Sequence, residues 1–319
     1  MVAGALGEEY SDTGGSYFNE SIGGGSGQCV RAVGDRTKPD AIAVVGEFGL
    51  FKPKNGVAIS TDGGVSFTTY DAGLFTDARY GAFPSAKTWY LSAGNWPEAN
   101  DDKTPTKDDD PFSNDNNIPA ADGAPQVYAR TPRFELRRNA AGGYQPYARL
   151  SGRDAMVTSN DTVFQTQISM TQDGGATWTT VFKEVGDFYP NGIACQDDAN
   201  CCFVAEADAG SEPGSRIYCT SDSGASWNRT FFNAGADNSL LDISVTGTAG
   251  EYWAVGGVLS ELDASASFYH STDNGATWTL DSSIKGSYAS AVDCVDTAHC
   301  WSTTLQVLLQ TASIASNTA

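Results

Sequence analysis

The chain has 319 residues and carries 39 aspartates and glutamates against 19 lysines and arginines, a formal net charge of −20. That balance argues against nucleic acid or an anionic membrane as the main partner, because both need a basic footprint. Hydrophobic residues make up 40%, enough for a core, and the 35 glycines favour many tight turns; no apolar run is long enough to span a bilayer.

The opening stretch "MVAGALGEEYSDTGG" has neither a basic n-region nor a long apolar segment, so a targeting peptide is either absent or removed ahead of Met1. Strand-like runs follow in order. "QCVRAV" (28–33), "AIAVVGEF" (41–48) and "GVAIS" (56–60) lead into "STDGGVSF" (60–67). "ARYGAF" (78–83) and "TWYLSAG" (88–94) read as inner strands of a degenerate unit. "FELRRNAAGGYQPYARL" (134–150) reads as its strand, turn and strand. Between them, 97–125 is polar and rich in Asp, Asn and Pro, and reads as an exposed acidic insertion. Calcium binding there is the alternative, although the EF-hand pattern is not met.

"TQDGGATW" (171–178) comes next. Two further sets of three runs each end in a similar string. "GIAC", "CCFVAEA" and "RIYCT" precede "TSDSGASW" (220–227), and "LLDISV", "EYWAVGGV" and "SFYHS" precede "STDNGATW" (271–278). A weaker copy, "YSDTGGSY", lies at 10–17. The last runs, "SAVDCV", "HCWSTTL" and "VLLQTAS" (290–313), have no such string after them.

The repeated aspartates are Asp12, Asp62, Asp173, Asp222 and Asp273, separated by 50, 111, 49 and 51 residues. The period is therefore about 50 residues, as expected of a repeat architecture. Within each string the Asp is placed to accept backbone N–H groups of its own turn. The glycine two residues on (Gly64, Gly175, Gly224, Gly275) supplies a positive φ. The closing aromatic (Phe67, Trp178, Trp227, Trp278) buries a ring under the turn. These are scaffold roles, and no catalytic residue, metal or cofactor is expected at them.

The pattern S/T-x-D-x-G-x-S/T-aromatic, complete in four copies, resembles the Asp-box, or BNR, repeat of β-propellers. There it forms the turn between the third and fourth strands of a blade. The resemblance implies an all-β chain, one propeller domain over 1–319. It would have six blades, seven if the insertion hides further strands, with the ring closed by N- and C-terminal strands sharing a blade. "EYWAVGGV…FYHSTDNGATW" (251–278) is similar to the repeats of the Ycf48-like photosystem II assembly propellers, and "AIAVVGEFG…GVAISTDGGVSF" (41–67) is similar in part. That likeness implies a non-enzymatic protein-binding or assembly scaffold, a monomer or a subunit of a larger complex. The sialidase-type propellers are the second resemblance and imply a secreted glycan-binding protein or glycoside hydrolase. Their Phe-Arg-Ile-Pro signature is not matched by "FKPKNGVAIS" (51–60), and an arginine triad would have to draw on residues such as Arg31 and Arg216.

Two local features remain. Cys195 with Cys201 and Cys294 with Cys300 share a spacing of six between strand-like flanks, which suits hairpin disulfides. Cys202 and Cys219 suit a third, with Cys29 left over. Metal binding is the weaker alternative, with only two histidines in the chain. Disulfides and three N-glycosylation sequons (Asn19, Asn160, Asn228) are compatible with an oxidising place, extracellular or lumenal. Arg130, Arg133, Arg137, Arg138, Arg149 and Arg153 form the one basic cluster. It is read either as a docking patch for an acidic partner or as a neutraliser of the neighbouring acidic loop.

Overall fold

The structure, a computed structural model, describes residues 2–4, 7–10, 19–20, 26–34, 39–48, 54–74, 78–95, 134–138, 144–148, 164–259 and 264–306. Every regular element among them is a β-strand, and none is a helix that could cross a membrane.

Strands β1 (Val2–Gly4), β2 (Gly7–Tyr10) and β3 (Asn19–Glu20) form a small sheet. β4 (Ser26–Val33), β5 (Ala41–Phe48), β6 (Lys54–Ser60) and β7 (Thr68–Asp71) form a four-stranded antiparallel sheet in chain order. β8 (Ala78–Ala82) and β9 (Trp89–Asn95) come next. They are followed by the separate hairpin of β10 (Phe134–Arg138) and β11 (Tyr144–Ala148), and then by β12 (Gln165–Thr171) and β13 (Thr179–Val185). β14 (Tyr189–Cys195), β15 (Cys201–Ala207), β16 (Gly214–Thr220) and β17 (Asn228–Ala234) make one further four-stranded sheet. β18 (Asn238–Val245), β19 (Tyr252–Leu259), β20 (Ala264–Ser271) and β21 (Thr279–Lys285) make another. β22 (Ser287–Asp296) and β23 (His299–Gln306) pair as a two-stranded sheet.

One expectation is corrected. β8 and β9 are not the start of a degenerate unit. They join β12 and β13, so that "TWYLSAG" and "QTQISMT" lie side by side from Trp89↔Thr171 to Asn95↔Gln165. The apolar run of β9 needs a partner on both edges, and the buried β12 supplies the second. The long spacing between Asp62 and Asp173 is thus one period carrying an insertion between the second and third strands. The stretch after Asp12 and the run after Gln306, on which the expected ring closure depends, lie largely outside the described residues; among those described, β1 pairs with β2 a few residues away and β22 with β23.

The fourth strand of each four-stranded sheet, on the outside, contains no buried residue. Every residue of β14 and β15 is buried, whereas every residue of β21, "TLDSSIK", is exposed. Strands covered on both faces read as near-continuous apolar runs, which is why "CCFVAEA" lacks alternation. The core lies in layers between successive sheets. Phe182 of β13 meets Phe203, Tyr218 and Trp227 of the next sheet at centroid distances of 5.2, 5.4 and 6.3 Å. Tyr70 of β7 meets Trp89 edge-on at 5.5 Å. Each such ring, once buried, contributes roughly 2–3 kcal/mol of apolar stabilisation.

The first strands β4, β8, β14, β18 and β22 lie beside one another in that order. Each carries a register shift against its own second strand: Gly27/Cys29, Ala78/Tyr80, Pro190/Ile193, Leu240/Asp242 and Ala289/Ala291. Bulges bend a strand and re-aim its side chains. The bulge in β14 brings Gly192 so close to β18 that a Cβ there would lie 2.8 Å from the Asp242 Cα. The C-terminal ends of all five strands, or the residues just past them, line one cavity.

Candidate functional site: the axial cavity and its rim

The four described Asp turns share one hydrogen-bond pattern. The opening hydroxyl (Ser60, Thr171, Thr220, Ser271) donates to Asp Oδ1 at 2.7–2.9 Å and accepts from the N–H of the glycine four residues on at 2.8–3.0 Å. The later hydroxyl residue donates its N–H to Oδ1 at 2.8–2.9 Å and its O–H to Oδ2 at 2.6 Å. The side-chain bonds from Ser66, Thr177 and Ser226, reinforced by the same residues' N–H groups, hold Asp62, Asp173 and Asp222 at about 2. Asp273 is lowered in the same way by Thr277. The aspartates are therefore ionised and engaged within their own turns.

Gly64, Gly175, Gly224 and Gly275 have φ of 93°, 90°, 78° and 75°. The residue before each is left-handed as well, and in two copies it is not glycine: Ser223 at 57° and Asn274 at 58°. The closing aromatics Phe67, Trp178, Trp227 and Trp278 are half-buried. Trp278 Nε1 donates to Gly275 O at 3.0 Å and across to Thr230 Oγ1 of the preceding sheet at 3.2 Å.

Each turn sits at the same end of its sheet as the hairpin joining the first two strands. Gly174 N donates to Lys87 O (2.9 Å), Ser223 N to Ala199 O (3.2 Å) and Asn274 N to Gly250 O (3.0 Å). On that face a cavity of about 420 Å³ opens on the axis. It is lined by the C-terminal ends of the five first strands, among them Arg31, Phe83, Ile193, Ile243, Val292 and Asp293. Its walls mix apolar side chains (Phe83, Ile193, Ile243, Val292) with polar ones (Gln196, Ser244, Asp293), and Arg31 is the one cation among the described residues that line it.

Arg31 reaches from β4 to β18, where its Nη2 lies 3.3 Å from Asp242 Oδ1 and its Nη1 donates to Val30 O at 3.1 Å. The Arg31 side chain is 25% exposed and that of Asp242 4%. Burial works against the Arg31 charge, but Cys29, Asp242, Tyr80 and Asp293 more than offset it and keep the guanidinium firmly protonated. Burial raises Asp242, opposed by Arg31 and by the N–H groups of Val292 and Ile243. Those donors lie 3.1 and 3.0 Å away. The pair thus ties three first strands together at the floor of the cavity.

The rim is fixed by cross-links. Cys195–Cys201 and Cys294–Cys300 close the hairpins after β14 and β22, and Cys202–Cys219 joins β15 to β16. The three disulfides are those read from the spacing; Cys29 is buried and takes part in none of them. Tyr90 OH donates to Asp198 O at 2.8 Å and Tyr252 OH to Asn200 O at 3.0 Å, so both neighbouring sheets hold the Cys195–Cys201 loop. Gln196 Nε2 bridges onward to Thr248 O and Glu251 O at 3.0 and 2.7 Å.

At the other end of the axis lies a buried polar cluster. Asn191, in the β14 bulge, donates from Nδ2 to Glu206 Oε1 and to Leu240 O, both at 2.8 Å. Its Oδ1 is buried with no hydrogen-bond partner. Arg79 lies 5.0 Å from the centre of the Tyr189 ring, and Ser239 hydrogen-bonds Tyr288. Burial pushes Glu206 up to about 8, against the pull of Asn191, Arg79 and Ser239. A carboxyl near that value is largely protonated at neutral pH.

Arg216 does not join Arg31. It sits in β16 between the rings of Phe188 and Phe232, at 4.9 and 5.3 Å from their centres. Arg130, Arg133, Arg149, Arg153, Asp12 and the 97–125 stretch lie outside the described residues. Arg137 and Arg138 lie in β10, opposite Gln145 and Tyr144. Among the described residues no group of three or more His, Cys, Asp or Glu is arranged to hold a metal ion. The sequence reading passed over Asp242, Glu206, Asn191 and Asp293. The available signal was a carboxylate standing inside an apolar run, as in "LLDISV" and "CCFVAEA".

No protein-family model and no curated protein matches the chain. Solved structures do. A polysaccharide lyase of family PL25, an ulvan lyase, is 11% identical over 92% of this chain and 68% of its own, with a TM-score of 0.45. A sialidase from Trypanosoma rangeli is 11% identical over 92% and 55%, with a TM-score of 0.37. YCF48 bound to a D1 peptide is 11% identical over 87% and 94%, with a TM-score of 0.27. Likenesses at this level assign no activity or partner to the chain.

Proposed function

We propose that the chain is a non-catalytic Asp-box β-propeller, a single domain over 1–319, that binds a segment of a partner polypeptide at the axial cavity and works in an oxidising compartment. The observation that carries this reading is the combination of a cavity lined by the ends of five first strands and a rim fixed by disulfides and inter-sheet hydrogen bonds. A pre-formed rim lowers the ordering cost of binding. In the cavity floor Asp242 is engaged by Arg31 and two backbone N–H groups, a positioning role rather than that of a general base. Five blades rather than six are proposed, because β8 and β9 belong to the sheet of Asp173 and five first strands line the cavity. The oxidising compartment follows from the three disulfides.

A second reading, a glycan-acting protein, has one specific observation in its favour. Glu206 is an axial carboxyl held near 8 beside Arg79 and Tyr288, the property required of a general acid. One experiment separates the two. The purified protein is screened for hydrolysis of sialosides and aryl glycosides and, in parallel, for binding to a peptide library, with Val295→Trp as a variant that obstructs the cavity mouth. Peptide binding lost in Val295→Trp, with no turnover, is the expected result. Turnover abolished by Glu206→Gln overturns the scaffold reading.

A further inference from the structure

The mouth of the axial cavity has a chemistry of its own. Asp293 lines it from β22 and stands directly opposite Trp301 of β23. Directly opposed residues of an antiparallel pair project from the same face of the sheet, so the carboxylate and the indole are neighbours. Both are open to solvent, Trp301 at 61% and the adjoining cavity residue Val295 at 50%. Trp301 also stacks on His299, with centroids 6.1 Å apart and planes inclined at 23°, which holds its ring in place. An exposed indole beside a carboxylate is a recognition pair for a cation. The ring face attracts the charge and the carboxylate completes it. The wider face agrees in sign. The four described turn aspartates, Asp197, Asp198 and Asp296 are all exposed at this end of the sheets, and the charge of Arg31 is shared between Asp242 and Asp293.

We propose that the mouth of the axial cavity holds an arginine or lysine side chain of a basic partner segment, its cationic head between Asp293 and Trp301 and its stem against the exposed Val295. This rests on the partner-binding reading of the cavity and names the chemistry of the partner. A long cationic side chain suits a site that sets an exposed valine beside a charged lip, since its methylenes cover apolar surface while its head stays at the polar edge. The acidic face draws such a segment in, so association is fast at low salt and slows as salt rises.

The test uses the full chain and a fluorescein-labelled hexa-arginine peptide, with hexa-glutamate and hexa-glycine as controls, followed by anisotropy at physiological salt. Asp293→Asn and Trp301→Ala are each expected to weaken hexa-arginine binding about tenfold. Asp281→Asn, which makes the same charge change on exposed β21, is expected to leave it unchanged. Equal weakening by Asp293→Asn and Asp281→Asn means that only general charge is sensed, and it overturns the proposal. So does binding indifferent to Trp301→Ala, provided circular dichroism shows the variant folded. If hexa-arginine fails while other library peptides bind and are displaced by Val295→Trp, the cation site falls and the scaffold reading stands. If no peptide of any class binds, both fall.

Discussion

Gly275 presses against Cys202. A β-carbon on Gly275 would lie 2.5 Å from the Cys202 Sγ and equally close to that of Cys219, so the turn of one sheet is seated on the disulfide of the sheet before it. The glycine of this repeat thus meets two demands, a φ of 75° and a close approach. Gly63, in the first turn, has a φ of 78° with nothing within 4 Å of a notional β-carbon. Gly63→Ala is expected to cost about 1 kcal/mol, the strain of a left-handed alanine. Gly275→Ala adds a steric clash and is expected to cost about 3 kcal/mol or more. Urea denaturation of both variants measures the difference, and equal losses would mean that the neighbouring disulfide yields freely.

The turn aspartates make acid stability predictable in sign. Asp62, Asp173 and Asp222 are held near 2, below the ordinary 3.8. A carboxylate lowered on folding contributes stability that is present above its ordinary pKa and is lost as pH falls through the folded value. Melting temperature is therefore expected to drop steeply between about pH 4 and pH 2. Asp222→Asn is expected to lower stability at pH 7 while making that acid limb shallower. A limb of unchanged steepness in Asp222→Asn would show that other carboxylates control it.

Glu206 predicts the opposite limb. Its pKa is raised to about 8 from 4.5 by burial, with Asp208 adding to the rise and Asn191, Arg79 and Ser239 opposing it. Tyr288 also faces the group, from β22. The contribution is fully present below 4.5 and is lost as pH rises through about 8. Glu206→Gln, which keeps an acceptor for Asn191 and carries no charge, is expected to flatten the decline in melting temperature between pH 5 and pH 8. Retention of the full wild-type decline would assign it elsewhere.

Thiol titration checks the disulfide pattern. The folded protein is expected to show no reactive thiol, because Cys29 is 6% exposed and the other six cysteines are paired. Denaturation without reductant should release one thiol per chain, and reduction all seven. Opening a native disulfide typically costs 2–5 kcal/mol in small domains, so about that loss is expected for the Cys202→Ser/Cys219→Ser pair.

The Arg31–Asp242 pair predicts a non-additive cycle. Arg31→Met leaves Asp242 buried without its cation and is expected to cost about 3–5 kcal/mol. Adding Asp242→Asn should restore part of that loss rather than add to it. A strictly additive double variant, by urea denaturation, would show that the two residues do not interact.

What could be read from the sequence was local. The Asp turn is specified within eight residues, because its hydroxyls, carboxylate and glycine N–H bond to one another. The same holds for Cys195–Cys201 and Cys294–Cys300, whose partners sit across a single hairpin. What was misread was non-local. Nothing near "TWYLSAG" announces that its outer neighbour is "QTQISMT", because the apolar run satisfies the requirement of any inner strand. Arg31 and Asp242 are 211 residues apart in sequence. Their meeting depends on which first strands come to lie near one another, a property of how the sheets pack. Glu206 was hidden for a related reason. Alone in "CCFVAEA" it looks like a tolerated interruption, and only the bulge that turns Asn191 toward it reveals a cluster.

The insertion carried by the β8–β13 sheet also affects how the chain reaches this structure. Elsewhere the second and third strands are joined by the short connections 49–53, 208–213 and 260–263, so each sheet zips up as a sequence-local meander. The β9–β12 pairing instead closes over 96–164, a connection roughly tenfold longer, which adds about 2 kcal/mol of loop-closure entropy. That pairing is the slowest ladder to nucleate, so its amides should be among the last to gain protection in pulsed hydrogen exchange during refolding. Until it forms, β8 and β9 are a lone hairpin with the exposed edge of β9 available for mispairing. The step that completes the sheet is therefore the point at which the nascent chain most needs protection from aggregation.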